Sequence, residues 1–171
     1  TKMLKLNASD SETTDAEKMT SFDTNGFTVG TNGDANNSSG TFASWSWKAG
    51  TSVSGTTGGS GTSKSYSGSV NTTSGISIIS YEGNGTAGHT VPHGLNSAPD
   101  VVLVTRRNQA SQRVMGLSAL GFTKFMEFDL NGASQTSSLR FNDTAPSSSV
   151  FTLGSTFDTN RDGIDMIAWC F

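Results

Sequence analysis

The sequence predicts an all-β protein, an antiparallel β-sandwich of jelly-roll type whose modules stand in tandem. Three observations carry that prediction. Apolar residues fall in short runs that alternate or are rich in branched and aromatic types, the pattern of strands half-buried against a core. Gly, Asn, Asp and Pro bound those runs, as tight turns require. The chain also repeats itself. Thr1-Lys2-Met3-Leu4-Lys5-Leu6 returns as Thr123-Lys124-Phe125-Met126-Glu127-Phe128, Phe27-Thr28-Val29-Gly30 as Phe151-Thr152-Leu153-Gly154, and Ala43-Ser44-Trp45-Ser46-Trp47 as Ile167-Ala168-Trp169-Cys170-Phe171.

Thr1 aligns with Thr123 and Phe27 with Phe151, so the offset grows from 122 to 124 and only two residues are gained between copies. Self-similarity at a fixed period marks a unit reused for its shape and contacts, which favours a structural or binding protein over an enzyme. The second copy is preceded by a further apolar series, at 76–81, 101–105 and 114–117, that has no counterpart before Thr1. Residues 1–49 therefore read as the C-terminal half of a first module, 50–70 as a Gly/Ser/Thr-rich connector and 71–171 as a complete second module; a permuted module over 1–120 followed by half of the next is the equivalent reading. Beginning at Thr, the chain reads as a processed or partial polypeptide.

Taken in order, 1–6 is expected as a strand equivalent to 123–128. Residues 12–20 could form one or two helical turns with Thr14 as N-cap, or plain loop. Residues 40–48 are expected as a strand equivalent to 164–171. The run Gly55-Thr56-Thr57-Gly58-Gly59-Ser60-Gly61 is of low complexity and reads as a flexible or extended connector. Residues 75–81, 100–105 and 149–153 are apolar strands bounded by turns. In 106–120, Val114, Leu117 and Leu120 have helical spacing, but the surrounding pattern favours a strand. Phe27, Trp45, Trp47, Phe151, Trp169 and Phe171 are the expected core, the two tryptophans Trp45 and Trp169 at equivalent positions.

Composition narrows the function. Of 171 residues, 33% are hydrophobic and 15% charged, with clusters of Phe, Ile and Val that a disordered chain lacks. A net charge of −3, with Arg106-Arg107 the only basic pair of its kind, offers no electrostatic footprint for nucleic acid. The single cysteine, Cys170 between Trp169 and Phe171, excludes an internal disulfide and reads as a buried thiol. No segment has the length and apolarity of a membrane span, and the N-terminus lacks a signal-peptide pattern.

Four motifs bear on chemistry. Gly83-Asn84-Gly85-Thr86-Ala87-Gly88 has dinucleotide-binding spacing, but Pro92 and Gly94 follow where a helix must begin, so it reads as a turn. His89 and His93 are four apart, yet Pro92 between them leaves them off a helix and no further ligand stands nearby. A structural role is expected for His93, its ring bonded to backbone in the turn 93–99. Asp158, Asn160 and Asp162 with Gly163 match the first half of a calcium loop, but Trp169 occupies the twelfth position, where a bidentate Glu is required. A polar hairpin loop explains both this stretch and its counterpart at 34–40. Glu127 and Asp129 alternate on one side of a strand as a glycosidase pair could, but Lys5 and Asn7 replace them in the first copy, so a solvent face is expected. No catalytic residue and no cofactor are expected.

The series Gly75–Gly85, His93–Pro99, Phe141–Gly154 and the closing Ala168-Trp169-Cys170-Phe171, with Ser21–Gly30 in the first copy, resembles a β-rich module of uncharacterised function. That module recurs, often in tandem, in virion and tail-fibre proteins of tailed phages, marine ones in particular. Arg113–Ser118 departs from it, standing where similar modules carry an aromatic-rich strand with a Tyr-His pair. The resemblance implies a place on a phage particle, as fibre, tail appendage or capsid decoration, with other virion proteins as partners. A homo-oligomer is expected, a trimer being one familiar form in phage appendages. The alternative is a carbohydrate- or receptor-binding module for host attachment. Exposed Trp45 or Trp169 would favour that alternative; both buried would favour the scaffold.

Overall fold

The computed structural model describes residues 2–48 and 50–171. Thr1, which begins the expected strand 1–6, and Ala49, which ends the expected half-module 1–49, lie outside the described residues. Strands make up 40% and helix 7% of the chain, so the protein is all-β.

In chain order the strands are β1 (Lys2–Met3), β2 (Thr13–Thr14), β3 (Met19–Asp23), β4 (Gly26–Val29), β5 (Thr51–Thr56), β6 (Gly58–Gly59), β7 (Ser65–Asn71), β8 (Ile76–Glu82), β9 (His89–Pro92), β10 (Val101–Arg106), β11 (Val114–Leu117), β12 (Lys124–Glu127), β13 (Gln135–Thr136), β14 (Val150–Leu153) and β15 (Asp165–Cys170). Two single-turn helices, α1 (Ser138–Phe141) and α2 (Phe157–Asn160), flank β14. The frame is an eight-stranded antiparallel sheet in the order β13-β12-β11-β10-β15-β8-β7-β5, beside a three-stranded sheet β14-β9-β6. Strand β15, last in sequence, is inserted between β8 and β10 and pairs with both along its length.

Period-two alternation sets which side chains meet. From the large sheet, Ile79, Tyr81, Val102, Val104, Val114, Met166, Ala168 and Cys170 turn to one face, where they join Val91 of β9, Phe151 and Leu153 of β14 and Phe141 of α1 in one cluster. The rings of Tyr81 and Phe151 meet edge to face at 6.1 Å between centroids. This is the sandwich core. Burial raises the Cys170 thiol pKa far above its ordinary value, so the thiol is an inert packing group, and Val114–Leu117 is a strand, not a helix.

The connector expected at 50–70 is instead part of the frame. Strands β5 and β7 pair over six residues, from Thr51↔Val70 to Thr56↔Ser65, and β7 pairs in turn with β8. Serine and threonine point outward while Val53, Tyr66 and Val70 pack on the core. Gly68 has a structural reason: a Cβ there would collide with the Ile78 carbonyl oxygen of the neighbouring strand. Low complexity thus conceals a period-two pattern.

The outer face of the large sheet carries Ile78, Ile167 and Trp169, each half-buried, and the N-terminal segment lies across it. Arg113 fastens that segment. Its side chain is fully buried; Nε and Nη2 donate to the Lys5 carbonyl at 3.0 and 2.9 Å, Nη2 to the Asp10 carbonyl at 2.6 Å, and Nη1 to Ser111 O and Thr105 Oγ1 at 2.8 and 2.7 Å. Glu12 adds an ion pair to Arg107 at 3.0 Å and one to Lys2 at 2.6 Å. Burial opposes ionisation of Glu12, but bonds from Lys2 and Arg107 outweigh it and hold its pKa below the ordinary value.

Candidate functional site

The repeat returns as a repeated set of contacts. In the second copy Gly154 N donates to Arg140 O at 3.0 Å and Thr156 N to Leu139 O at 3.1 Å; in the first, Gly30 N donates to Lys18 O at 2.9 Å and Asn32 N to Glu17 O at 3.0 Å. Asn160 Nδ2 donates to Gly154 O at 2.8 Å, and Asn36 Nδ2 to Gly30 O at 2.8 Å. Arg140 pairs with Asp158 at 2.7 Å, and Lys18 with Asp34 at 2.8 Å. The helical-turn residues are offset by 122 and the strand and loop residues by 124, as in the sequence. A Cβ on Gly30 or Gly154 would strike the carbonyl of Glu17 or Leu139, which explains glycine in both copies.

The surroundings of the two copies differ. Asn160 is fully buried and is the centre of a polar network. Its Oδ1 accepts from Asn84 N at 3.0 Å and from His89 Nδ1 at 2.9 Å, while Nδ2 also donates to Thr86 O at 2.9 Å. Because Asn160 Oδ1 can only accept, His89 carries its proton on Nδ1. Nε2 then accepts from Thr57 Oγ1 at 2.7 Å, and that hydroxyl accepts from Lys64 N at 2.8 Å. The Thr57-His89-Asn160 order imitates a nucleophile, base and orienting amide, but Thr57 is 3% and His89 0% exposed, so no substrate reaches the hydroxyl. Burial lowers the His89 pKa, with the nearby Lys64 charge adding to it against the Asn160 bond. This is a satisfied core network.

Asn36, the counterpart of Asn160, is exposed. So are the residues around it. Phe27, equivalent to fully buried Phe151, is 37% exposed; Phe42, equivalent to fully buried Met166, 51%; Trp45 75% and Trp47 57%. The core expected at Phe27, Trp45 and Trp47 is therefore not formed. Phe171 is 38% exposed, meeting Trp47 edge to face at 6.0 Å, and Trp169 is half-buried on the outer face; of the six expected core residues only Phe151 is buried in the sandwich. The strand expected at 40–48 is absent too. Its counterpart β15 exists because β8 and β10 flank it, and the first copy has no such flanking strands among the described residues. Backbone that finds no ladder partner stays irregular.

These aromatics line a cleft of about 730 Å³ bounded by Met3 and Leu4 of the N-terminal segment, the β3–β4 hairpin with Phe22, and residues 42–47, with Ile78 at its floor and Lys2, Lys5, Lys18 and Asp34 among its charged residues. Phe22 is 75% exposed. This is the candidate functional site, an apolar cleft with a charged rim. Sequence reasoning missed Phe22 and Phe42; the alignment of Phe42 with Met166 was the available signal. A second depression, of about 650 Å³, is lined by hydroxyls of Ser52, Ser54, Ser67, Ser69 and Ser80, with Arg107 already committed to Glu12.

The remaining expectations resolve as follows. Asp158, Asn160 and Asp162 do not converge: Asp158 faces Arg106 and Arg140, Asn160 faces His89, and Asp162 pairs with Lys64 at 3.0 Å. In place of the expected hairpin loop, 157–160 is helix α2 capped by Thr156 Oγ1. Among the described residues no cluster of three or more His, Cys, Asp or Glu could hold a metal. His93 bonds backbone as expected, Nδ1 accepting from Leu95 N at 3.2 Å and Nε2 lying 3.2 Å from Ser147 O. Gly83–Gly88 is a turn. Glu127 and Asp129 do not form a solvent face: Glu127 is half-buried 4.0 Å from Arg140, and Asp129 accepts from Arg113 N at 2.9 Å. The turn in 12–20 is capped by Asp15 Oδ1, not Thr14, and Thr13–Thr14 is strand β2. Strands β1 and β12 recur as the repeat predicts, but β1 pairs with β2 while β12 belongs to the large sheet.

The fold and cleft thus define a β-sandwich domain with an apolar cleft formed by its N-terminal residues. The chain belongs to the family described as a domain of unknown function (DUF7483), whose model matches residues 1–171. No curated protein and no solved structure matches it.

Proposed function

We propose that the chain is a non-enzymatic structural protein of a phage virion, in a fibre, tail appendage or capsid-surface decoration, and that it works by protein–protein contact through the aromatic cleft. The cleft carries this reading. Five large aromatics, Phe22, Phe27, Phe42, Trp45 and Trp47, stand in or at the edge of solvent around one cleft, and contiguous apolar surface of this kind marks an interaction site. The polar groups support it: His89, Asn160, Arg113 and Asp158 are each committed to partners inside the fold, so none of the four is free to act on a substrate. The virion setting rests on the resemblance of the motif series to phage modules. Assembly with further copies, trimeric in a fibre, and with other virion proteins follows from that setting.

A second reading, attachment to a host glycan or receptor, is favoured by one observation. Trp45 is 75% exposed in a concave surface, and such a ring offers an apolar face on which a sugar ring can stack. Antibodies against the chain should label intact particles of the phage that encodes it, and unlabelled particles would refute the virion reading. Millimolar glycan binding that quenches Trp45 fluorescence and disappears in Trp45→Ser would establish the second reading.

A further inference from the structure

The second copy shows what a C-terminal half-module binds. There, β15 lies between β8 and β10, pairing Met166 with Tyr81 and Arg106 and Ala168 with Ile79 and Val104; β14 pairs with β9; and Tyr81 donates its hydroxyl hydrogen to Thr159 O at 2.6 Å. All of these partners come from residues 65–122, the N-terminal half. In the first copy the turn, the glycine contact, the amide on the glycine carbonyl and the ion pair are already built, yet the positions equivalent to Phe151, Met166 and Asn160 stand in solvent and 41–47 has no ladder partner.

We infer that residues 15–48 are a preformed docking surface for the N-terminal half of a module of this same family. The partner's chemistry is that of residues 65–122: two apolar strands that accept 41–47 between them, and a polar turn, like Gly83–His89, that engages Asn36 as Asn84 and His89 engage Asn160. Within residues 1–171 the N-terminal half, 65–122, is already occupied by 138–171, so 15–48 is left for a further half of the same kind. On docking, 41–47 leaves its contact with Phe171 and becomes a strand, burying Phe42 as Met166 is buried. The inference stands on the repeated contacts and does not require the virion setting.

The test uses the chain's own N-terminal half as probe. Residues 50–122 are co-expressed with the full chain as a second polypeptide, and, in a separate protein, fused directly before Thr1, the junction the repeat dictates because Thr1 aligns with Thr123. The expected result is a 1:1 complex that survives dilution to about 1 μM, protection of amides 41–47 from hydrogen exchange by roughly a hundredfold, and loss of acrylamide quenching at Trp45 and Trp47. Phe27→Ser with Asn36→Asp should abolish the complex while leaving exchange at β8 and β15 unchanged. Unchanged exchange at 41–47 in both forms would overturn the inference, and the fusion excludes a failure of the separate fragment to fold. Protection in either form would support the inference. A dimer of the chain alone that protects 41–47 and is lost in Trp45→Ser would make a second copy the occupant and overturn the inference.

Discussion

Asn160 and Asn36 offer one substitution made twice in the same local geometry. Each donates through Nδ2 to the carbonyl of its glycine at 2.8 Å, and only Asn160 is buried. Replacing either by Asp keeps the shape and turns the donating nitrogen into an oxygen. At Asn160 the new oxygen faces Gly154 O and Thr86 O, both previously bonded, and Asn84 Oδ1 loses a contact at 3.3 Å. Leaving a buried carbonyl unsatisfied costs about 1–3 kcal/mol. Two such losses, less the single bond a protonated Asp restores, give about 3 kcal/mol, and more if the acid ionises. At Asn36 water replaces the lost donor, and the expected cost is about 0.5 kcal/mol or less. Urea denaturation of the full chain at pH 7 reads both values from the midpoint at constant slope. A cost below about 1 kcal/mol for Asn160→Asp, or equal costs at the two positions, would refute the argument that burial against the N-terminal half separates them.

Two further predictions concern buried basic side chains. Arg113→Met should release the N-terminal segment without unfolding the sandwich: Glu12 N and Ser111 N, bonded to Arg107 O and Ser9 O, should lose hydrogen-exchange protection while Ile79 and Val104 keep theirs, and equal loss at all four would show that Arg113 supports the core. His89 and His93 are both held below their ordinary pKa, chiefly by burial. They are therefore neutral in the fold, and the unfolded chain takes up more protons as pH falls. Their contribution is complete above about pH 6.5 and is lost as pH drops from there toward the folded values, by at most about 1.4 kcal/mol per pH unit for each histidine. Urea midpoints at pH 7.5, 6.5 and 5.5 should decline only over the lower interval, and a rise on acidification would contradict the sign.

Much of the frame was legible in the chain. Alternation placed β8, β10, β14 and β15, since a strand with one buried face must repeat every second residue, and the repeat located β4 and β1 through their partners β14 and β12. The offsets of 122 and 124 proved to be a structural measurement, the two-residue difference falling between Lys18 and Phe27 while the contacts on either side are conserved between copies. Strands β5 and β7 were concealed because serine dominates their outward positions and Gly55 and Gly68 interrupt the inward period that Val53, Tyr66 and Val70 keep. What composition and pattern could not decide was burial. Phe42 and Met166, or Asn36 and Asn160, are equivalent in sequence, yet one member of each pair is in water and the other has none. A local sequence encodes which face is apolar and which turn closes; whether that face is covered depends on β8, β9 and β10, which pair with β14 and β15 of the second copy and not with their first-copy counterparts. The same absence left 40–48 without a ladder and Trp45 exposed. Arg113 shows the converse, a charge the sequence gives no reason to bury, made interior by carbonyls of a segment more than a hundred residues away.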